Sequence, residues 1–343
     1  MNDTPMPVFD GHNDVLLRLF KETEPGCERR FLAGLEGGHL DLPRARAGGM
    51  VGGLFAIFVP SPGPGSDSQP QLPGLQEAQA ATLKMASILL RIERASAGQV
   101  RICRDAGEIR SAIAEGAMAT VMHIEGAEAI DADFHMLDVL QAAGLRSIGP
   151  VWSRPNIFGH GVPFRFPSTP DTGPGLTDLG RELVRQCNAR RILIDLSHMN
   201  EQGFWDVAAI SDAPLVASHS NVHALSESSR NLTARQLAAI RERRGLVGLN
   251  FATGFLRDDG KMTADTQMEW LIRHLDALLE ALGEDGVGIG SDFDGATIPQ
   301  PIGNVAGLSN LIRAMLEHQY GEALVRKIAC DNWLSVLERT WAP

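Results

Sequence analysis

The chain has 343 residues, 44% of them apolar, enough for a sizeable core in one large domain or two ordinary ones. Its formal net charge of −11 argues against a nucleic-acid or anionic-membrane partner, since both demand a basic surface. Cys27, Cys103, Cys187 and Cys330 are scattered without a Cys-x-x-Cys pair, so neither a disulfide framework nor a cysteine zinc site is expected. The opening "MNDTPMPVF" lacks the basic and apolar regions of a signal peptide, and no apolar run is long enough to span a bilayer. A cytoplasmic protein in a reducing compartment is expected.

In chain order, the first predicted strand is "PVFDGH", and it runs into His12 and Asp14. An i, i+2 spacing on extended backbone puts both side chains on one face, so two good ligands for a divalent cation point the same way. The second strand, "GGLFAIFVP", is followed by the Pro/Gly-rich "PSPGPGSDSQPQLPG", read as a disordered insertion, and by the amphipathic helix "LQEAQAATLKMASILLRIERA". Strand three, "ATVMHIEG", carries His123 and, near its end, Glu125. The helix "DFHMLDVLQAAG" leads to strand four, "LRSIGPVW", and to a second Pro/Gly-rich stretch, "SRPNIFGHGVPFRFPSTPDTGPG". Its interleaved Phe158, His160, Phe164 and Phe166 predict an ordered, packed loop.

The helix "TDLGRELVRQCNAR" then gives way to strand five, "RILIDLSH", ending on His198, and strand six, "PLVASHS", reaches His219. The remaining elements are the helix "ARQLAAIRERR", strand seven "GLVGLNF", the helix "QMEWLIRHLDALLEALG" and strand eight "VGIGSDFD". In that last strand Asp292 is the first acid after an apolar run.

Eight buried-type strands alternating with helices predict an α/β fold: a single (β/α)8 TIM-like barrel with loop insertions, one domain over 1–343. A doubly wound sheet would need a phosphate loop. The nearest stretch, "GVGIGSDFDG", lacks the third glycine and opens no helix.

A barrel gathers its strand C-termini around one mouth. His12, Asp14, Glu125, His198, His219 and Asp292 would therefore share one space. Six ionisable groups buried together are costly without a compensating cation, and two divalent ions would supply one. Imidazole and carboxylate together suit zinc. Two ions about 3.5–4 Å apart need a bridging anion. A carbamylated lysine is excluded, because Lys21, Lys84, Lys261 and Lys327 all fall outside the predicted strands. Glu125 is the expected bridge.

The pattern resembles the renal (membrane) dipeptidase family of the amidohydrolase superfamily over essentially the whole chain. The resemblance is carried by "DGHND", "HLDLPRARAGG", "IEGAEAI", "IDLSH", "ASHSN", "SSRNLT", "GLVGLNF", "GSDFDG" and "NWLSVLE", in that order. It implies a binuclear zinc hydrolase that cleaves dipeptides, some with a D-residue at the C-terminal position, and a homodimer. By the resemblance His12 and Asp14 hold one ion, His198 and His219 the other, and Glu125 bridges them. Asp292 would carry the proton to the leaving amine, and Arg230 would bind the substrate carboxylate with its planar fork.

Two positions depart from the family. Trp152 stands where a histidine steadies the oxyanion, and Phe255 where a tyrosine lies near the substrate carboxylate. Both are taken as substrate contacts, and His160 is expected to reach over the mouth. His123 is placed one layer below Glu125, and Asp294 orders a turn. His39, His135, His274 and His318 are read as loop or helix-surface residues, and Tyr320, the only tyrosine, as remote. The two departures leave a second reading open: a related amidohydrolase acting on N-acyl amino acids or lactones. Arg230 favours a substrate that presents a carboxylate. A non-catalytic binding protein is the weakest reading, since every ligand position is filled.

Overall fold

The computed structural model describes residues 5–62 and 72–342. Residues 63–71, which hold most of the first Pro/Gly-rich stretch, lie outside the described residues. The strands are β1 (Val8–Asn13), β2 (Met50–Phe58), β3 (Val100–Ile102), β4 (Met118–Glu125), β5 (Leu145–Gly149), β6 (Leu193–Ile194), β7 (Val216–Ser220), β8 (Leu246–Leu249) and β9 (Val287–Ile289).

All eight predicted strands form, and β3 is an addition. At three residues it is too short to show an alternating pattern. It pairs with the start of β4, Arg101 opposite Ala119, and β5 takes over that edge further along, Ser147 opposite His123.

Every ladder is parallel, in the order β6-β5-β4-β2-β1-β9-β8-β7. The two ends of that order meet. Asp195, just past β6, forms a parallel bridge with Val216 of β7, and the Leu196 N–H donates to the Val216 carbonyl at 2.9 Å. The sheet thus curls into the expected barrel, with helices between its strands. Strands enclosed on both faces need apolar residues on both, and β1 and β4 are buried along their whole length.

The inside of the barrel is filled by a cluster that includes Phe9, Leu54, Val121, Leu246 and Trp333. Trp333 comes from the C-terminal helix Asn332–Trp341, and its indole N–H donates to the Ile289 carbonyl at 2.8 Å. Gly11 and Gly288 make room for it, since a Cβ at either would run into the indole ring.

The second Pro/Gly-rich stretch is ordered, as expected. Gly161 bridges Met199, the Val162 N–H donates to the His198 carbonyl at 2.9 Å, and Phe158 is fully buried. The loop ends where Thr177 caps the helix Asp178–Ala189 by accepting from the Gly180 N–H.

His274 departs from its expected surface position. It is fully buried, its Nδ1 accepting from the Val222 N–H (3.2 Å) while Nε2 donates to the Leu256 carbonyl (2.9 Å). Asp294 departs from its expected role in its own turn: its carboxylate accepts the His39 and Leu40 backbone N–H groups and so ties down a distant loop. The four cysteines are buried and unpaired. Among the described residues no helix is long and apolar enough to cross a membrane.

Candidate metal centre and active site

β1 and β4 bring the first groups together. His12 Nε2 lies 3.4 Å from Asp14 Oδ2 and 3.5 Å from Glu125 Oε1. Asp14 is anchored as the chain leaves β1, its backbone N–H donating to the Phe293 carbonyl at 2.7 Å. From beyond β6 and within β7, the Nε2 atoms of His198 and His219 stand 2.9 Å and 3.4 Å from the same Glu125 Oε1, and 3.1 Å from each other. Among the described residues three buried sets of donor atoms result, each within 4.8 Å: His12/Asp14/Glu125 and Glu125/His198/His219, which share Glu125, and His12/Asp195/His219.

The hydrogen-bond network assigns the His219 tautomer. The Ser218 hydroxyl donates to Asp195, so its oxygen is left to accept from His219 Nδ1–H at 2.7 Å. Ser153 Oγ stands 2.7 Å from His198 Nδ1. The His219 Nε2 then turns a lone pair toward Glu125. A lone pair and a carboxylate oxygen converging in a buried space are an arrangement that a cation among them satisfies.

His12 adds to this, because both of its ring nitrogens are buried without a hydrogen-bond partner. Burial pushes Glu125 well above the usual carboxylate range, and His198 and His219 well below the usual imidazole range. For His12 burial also works against charge, but the Glu125, Asp14 and Asp292 carboxylates outweigh it and carry the pKa up to about 10. These carboxylates demand positive charge, and the donors present fit a divalent metal ion.

Behind the ligand atoms lies a layer that motif reading passed over. Asp195 accepts from the backbone N–H and hydroxyl of both Ser197 and Ser218, three of these bonds falling on Oδ1 and the Ser218 hydroxyl on Oδ2. Its carboxylate therefore works through Ser218 to orient His219. Asp10 does similar work across β1 and β9, accepting from Ser291 N–H (2.7 Å) and Oγ–H (2.8 Å). The Asp195→Asn variant loses one acceptor for Ser218 and is expected to bind zinc about 10–100-fold more weakly. Chelator competition measures this, and an unchanged affinity would show that Asp195 does not orient His219.

Above these groups opens a cavity of about 280 Å³, lined in part by Asp14, Glu125, His198, His219, Arg230 and Asp292. Asp292 adopts left-handed backbone, φ 60°, a conformation aspartate tolerates better than most residues, and Asn250 Nδ2 donates to its carboxylate at 3.1 Å. Burial raises its pKa. Gly295 lets the Asp14 and Asp292 carboxylates approach together, since a Cβ there would strike both.

Arg230 is buried in the wall. It donates to the Ser197 carbonyl and, at 3.1 Å, to the His219 carbonyl, while its Nε has no partner. Burial lowers its pKa to about 10, so it stays charged at neutral pH.

Trp152 and Phe255 both line the cavity. His160 does not. The bridges at Gly159 and Gly161 hold that part of the loop against its neighbours, and Phe164, four residues on, lines the cavity instead. His123 is fully buried away from the lining, with Nδ1 2.9 Å from Ser147 Oγ and Nε2 3.6 Å from Asp195. Tyr320 donates to Asp276 at 2.7 Å, outside the lining.

A parallel α/β barrel that collects imidazoles and carboxylates at its strand ends has the architecture of a metal-dependent hydrolase. Residues 3–342 match the family model described as membrane dipeptidase (peptidase family M19). The chain belongs to that family and is a hydrolase of the metallo-dipeptidase class. It is similar to dipeptidase AC, a metallopeptidase of family M19, at a TM-score of 0.95 and 55% identity, covering 98% of this chain and 99% of the other. A metallopeptidase from Rhodobacter sphaeroides, liganded with a phosphinate mimic of the dipeptide L-Ala-D-Ala, also has a TM-score of 0.95 and 55% identity, covering 98% and 100%. A Klebsiella pneumoniae protein from the pqqA 5′ region is 47% identical over 255 residues, 74% of this chain and 94% of that protein.

Proposed function

We propose that the protein hydrolyses dipeptides, L,D-dipeptides among them, with two divalent ions, zinc foremost, and that residues 1–343 act as one catalytic unit. His12 and Asp14 would hold one ion, His198 and His219 the other, and Glu125 both. Ions held there supply acidified water and polarise a carbonyl. The observation that carries the reading is a single cavity whose wall contains Glu125, His198 and His219 together with Arg230 and Asp292. The dipeptide mimic held by the Rhodobacter sphaeroides relative supports the substrate class.

The chain's own residues have separate tasks. Arg230 binds the substrate's C-terminal carboxylate. Its guanidinium is fixed by backbone carbonyls, and its free Nε offers one arm of a bidentate contact. Asp292 takes a proton and passes it to the leaving amine. Its pKa, raised by burial, moves toward neutrality, where a group both accepts and releases a proton readily. The apolar part of the wall keeps bulk water away from both.

The test offers zinc-loaded protein L,L- and L,D-dipeptides, N-acyl amino acids and lactones, with metal content measured in parallel. Turnover of dipeptides with about two ions per chain is expected. Turnover of N-acyl amino acids or lactones with no dipeptide cleaved would replace this reading by the second one.

A further inference from the structure

The cavity wall carries a row of aromatic rings that the chemistry above leaves unused. Phe58, Trp152, Phe164 and Phe255 all line it. Phe58 and Trp152 meet edge to face at 5.0 Å, Trp152 and Phe164 likewise at 5.4 Å, and Phe164 stacks on Phe255 at 5.9 Å. The row begins at Arg230, whose guanidinium carbon is 5.3 Å from the Phe255 ring. It passes the His198 ring, which lies 5.8 Å from Trp152 and 6.2 Å from Phe164, and it ends at Phe58.

The far end of the row is braced. Arg154, 3% exposed, has its guanidinium carbon 5.2 Å from the Trp152 ring and 5.3 Å from the Phe58 ring. Its nitrogens donate to Glu128 (2.7 Å), Ser61 Oγ (2.8 Å) and the Val59 carbonyl (2.6 Å). A cation held by that many partners and set over two aromatic faces holds both rings in place. Charge in the wall is one-sided as well. Among the described residues lining the cavity, Arg230 is the only lysine or arginine, while Asp14, Glu125 and Asp292 are acidic.

The direction of the substrate follows from Arg230. With the C-terminal carboxylate there and neighbouring α-carbons about 3.8 Å apart, the C-terminal residue lies beside Phe255 and Phe164. The N-terminal residue then reaches the other end of the row. We propose that Phe58 and Trp152, with Leu17 also in the lining, form a subsite for the side chain of the substrate's N-terminal residue. It takes bulky uncharged side chains, aliphatic or aromatic, in preference to glycine and to acidic ones. The inference rests on the dipeptidase reading and names its substrate class.

The experiment uses the metal-loaded full chain and two series, Xaa-L-Ala and Xaa-D-Ala, with Gly, Ala, Asp, Leu or Phe as Xaa. The kcat/KM for Leu and Phe is expected to exceed that for Gly and Asp by about tenfold or more. Trp152→Ala, and separately Phe58→Ala, are expected to bring the Phe-to-Gly ratio toward one. That ratio cancels any general loss of activity or of folded protein. A ratio near or below one in the unaltered protein, or one that neither variant moves, overturns the subsite while turnover of Gly- and Ala-dipeptides keeps the dipeptidase reading. Turnover of no dipeptide in either series overturns that reading and the subsite with it.

Discussion

Glu125→Gln is expected to abolish dipeptide turnover and to strip the protein of metal after dialysis. The reason is geometric. One oxygen, Glu125 Oε1, stands 2.9 Å from His198 Nε2, 3.4 Å from His219 Nε2 and 3.5 Å from His12 Nε2. It is the donor that joins the His12/Asp14 set to the His198/His219 set. Glutamine has the same shape, but its neutral amide presents two donor hydrogens in place of one anionic oxygen. Changes to groups that merely orient a ligand cost about 10–100-fold in metal affinity. Losing the anion shared by both sets is expected to cost at least the upper end of that range at each. Metal analysis of dialysed protein beside a turnover assay measures both effects. Full metal content with full activity in Glu125→Gln would remove Glu125 from the centre.

Asp292→Asn separates proton transfer from metal binding. The variant is expected to keep its metal and lose about 10²–10⁴-fold in kcat, the span of a general acid–base contribution. Asp292 is suited to that role by its surroundings. Burial raises its pKa, the neighbouring Asp14 carboxylate adds to this, and the Asn250 amide donates to one of its oxygens. Asparagine retains the shape and removes the titration. The limb of the kcat–pH profile that reports this carboxyl is expected to vanish along with the rate. A variant with unchanged kcat and an unchanged profile would show that another group carries the proton. Loss of metal in Asp292→Asn would instead assign Asp292 to the metal centre itself.

The sequence of this protein already determined the barrel and the residues that crowd its mouth. Short Val-, Ile- and Leu-rich runs ending on a histidine or an acid are a local signal, and parallel strands buried on both faces write that signal continuously. The i, i+2 pair His12 and Asp14, and the strand-end Glu125, His198 and His219, needed no knowledge of distant contacts. In each case the chemistry and the strand terminus adjoin in the chain.

What distant segments do together was decided by the tertiary structure. Asp195, inside "IDLSH", looks like an ordinary strand residue until Ser218 of β7 is brought against it. Strand β3 was too short to show a period and exists because the start of β4 offers an unpaired edge. His274 shares the buried stripe of Leu271, Leu275 and Leu278 on its helix, and an imidazole is tolerated there because the Val222 N–H and the Leu256 carbonyl satisfy both ring nitrogens, a contact the residue type does not report.

The long loop makes the same point at the active site. A glycine-flanked place in the loop and the histidine replaced by Trp152 promoted His160 as the group over the mouth, yet the bridges at Gly159 and Gly161 leave Phe164 in the lining. Phe58, Trp152, Phe164 and Phe255 become one wall only because β2, the long loop after β5 and the segment after β8 end around the same barrel mouth. Local propensity sets where a strand stops. Which side chains then meet depends on packing between segments far apart in the chain, and that information exists only in three dimensions.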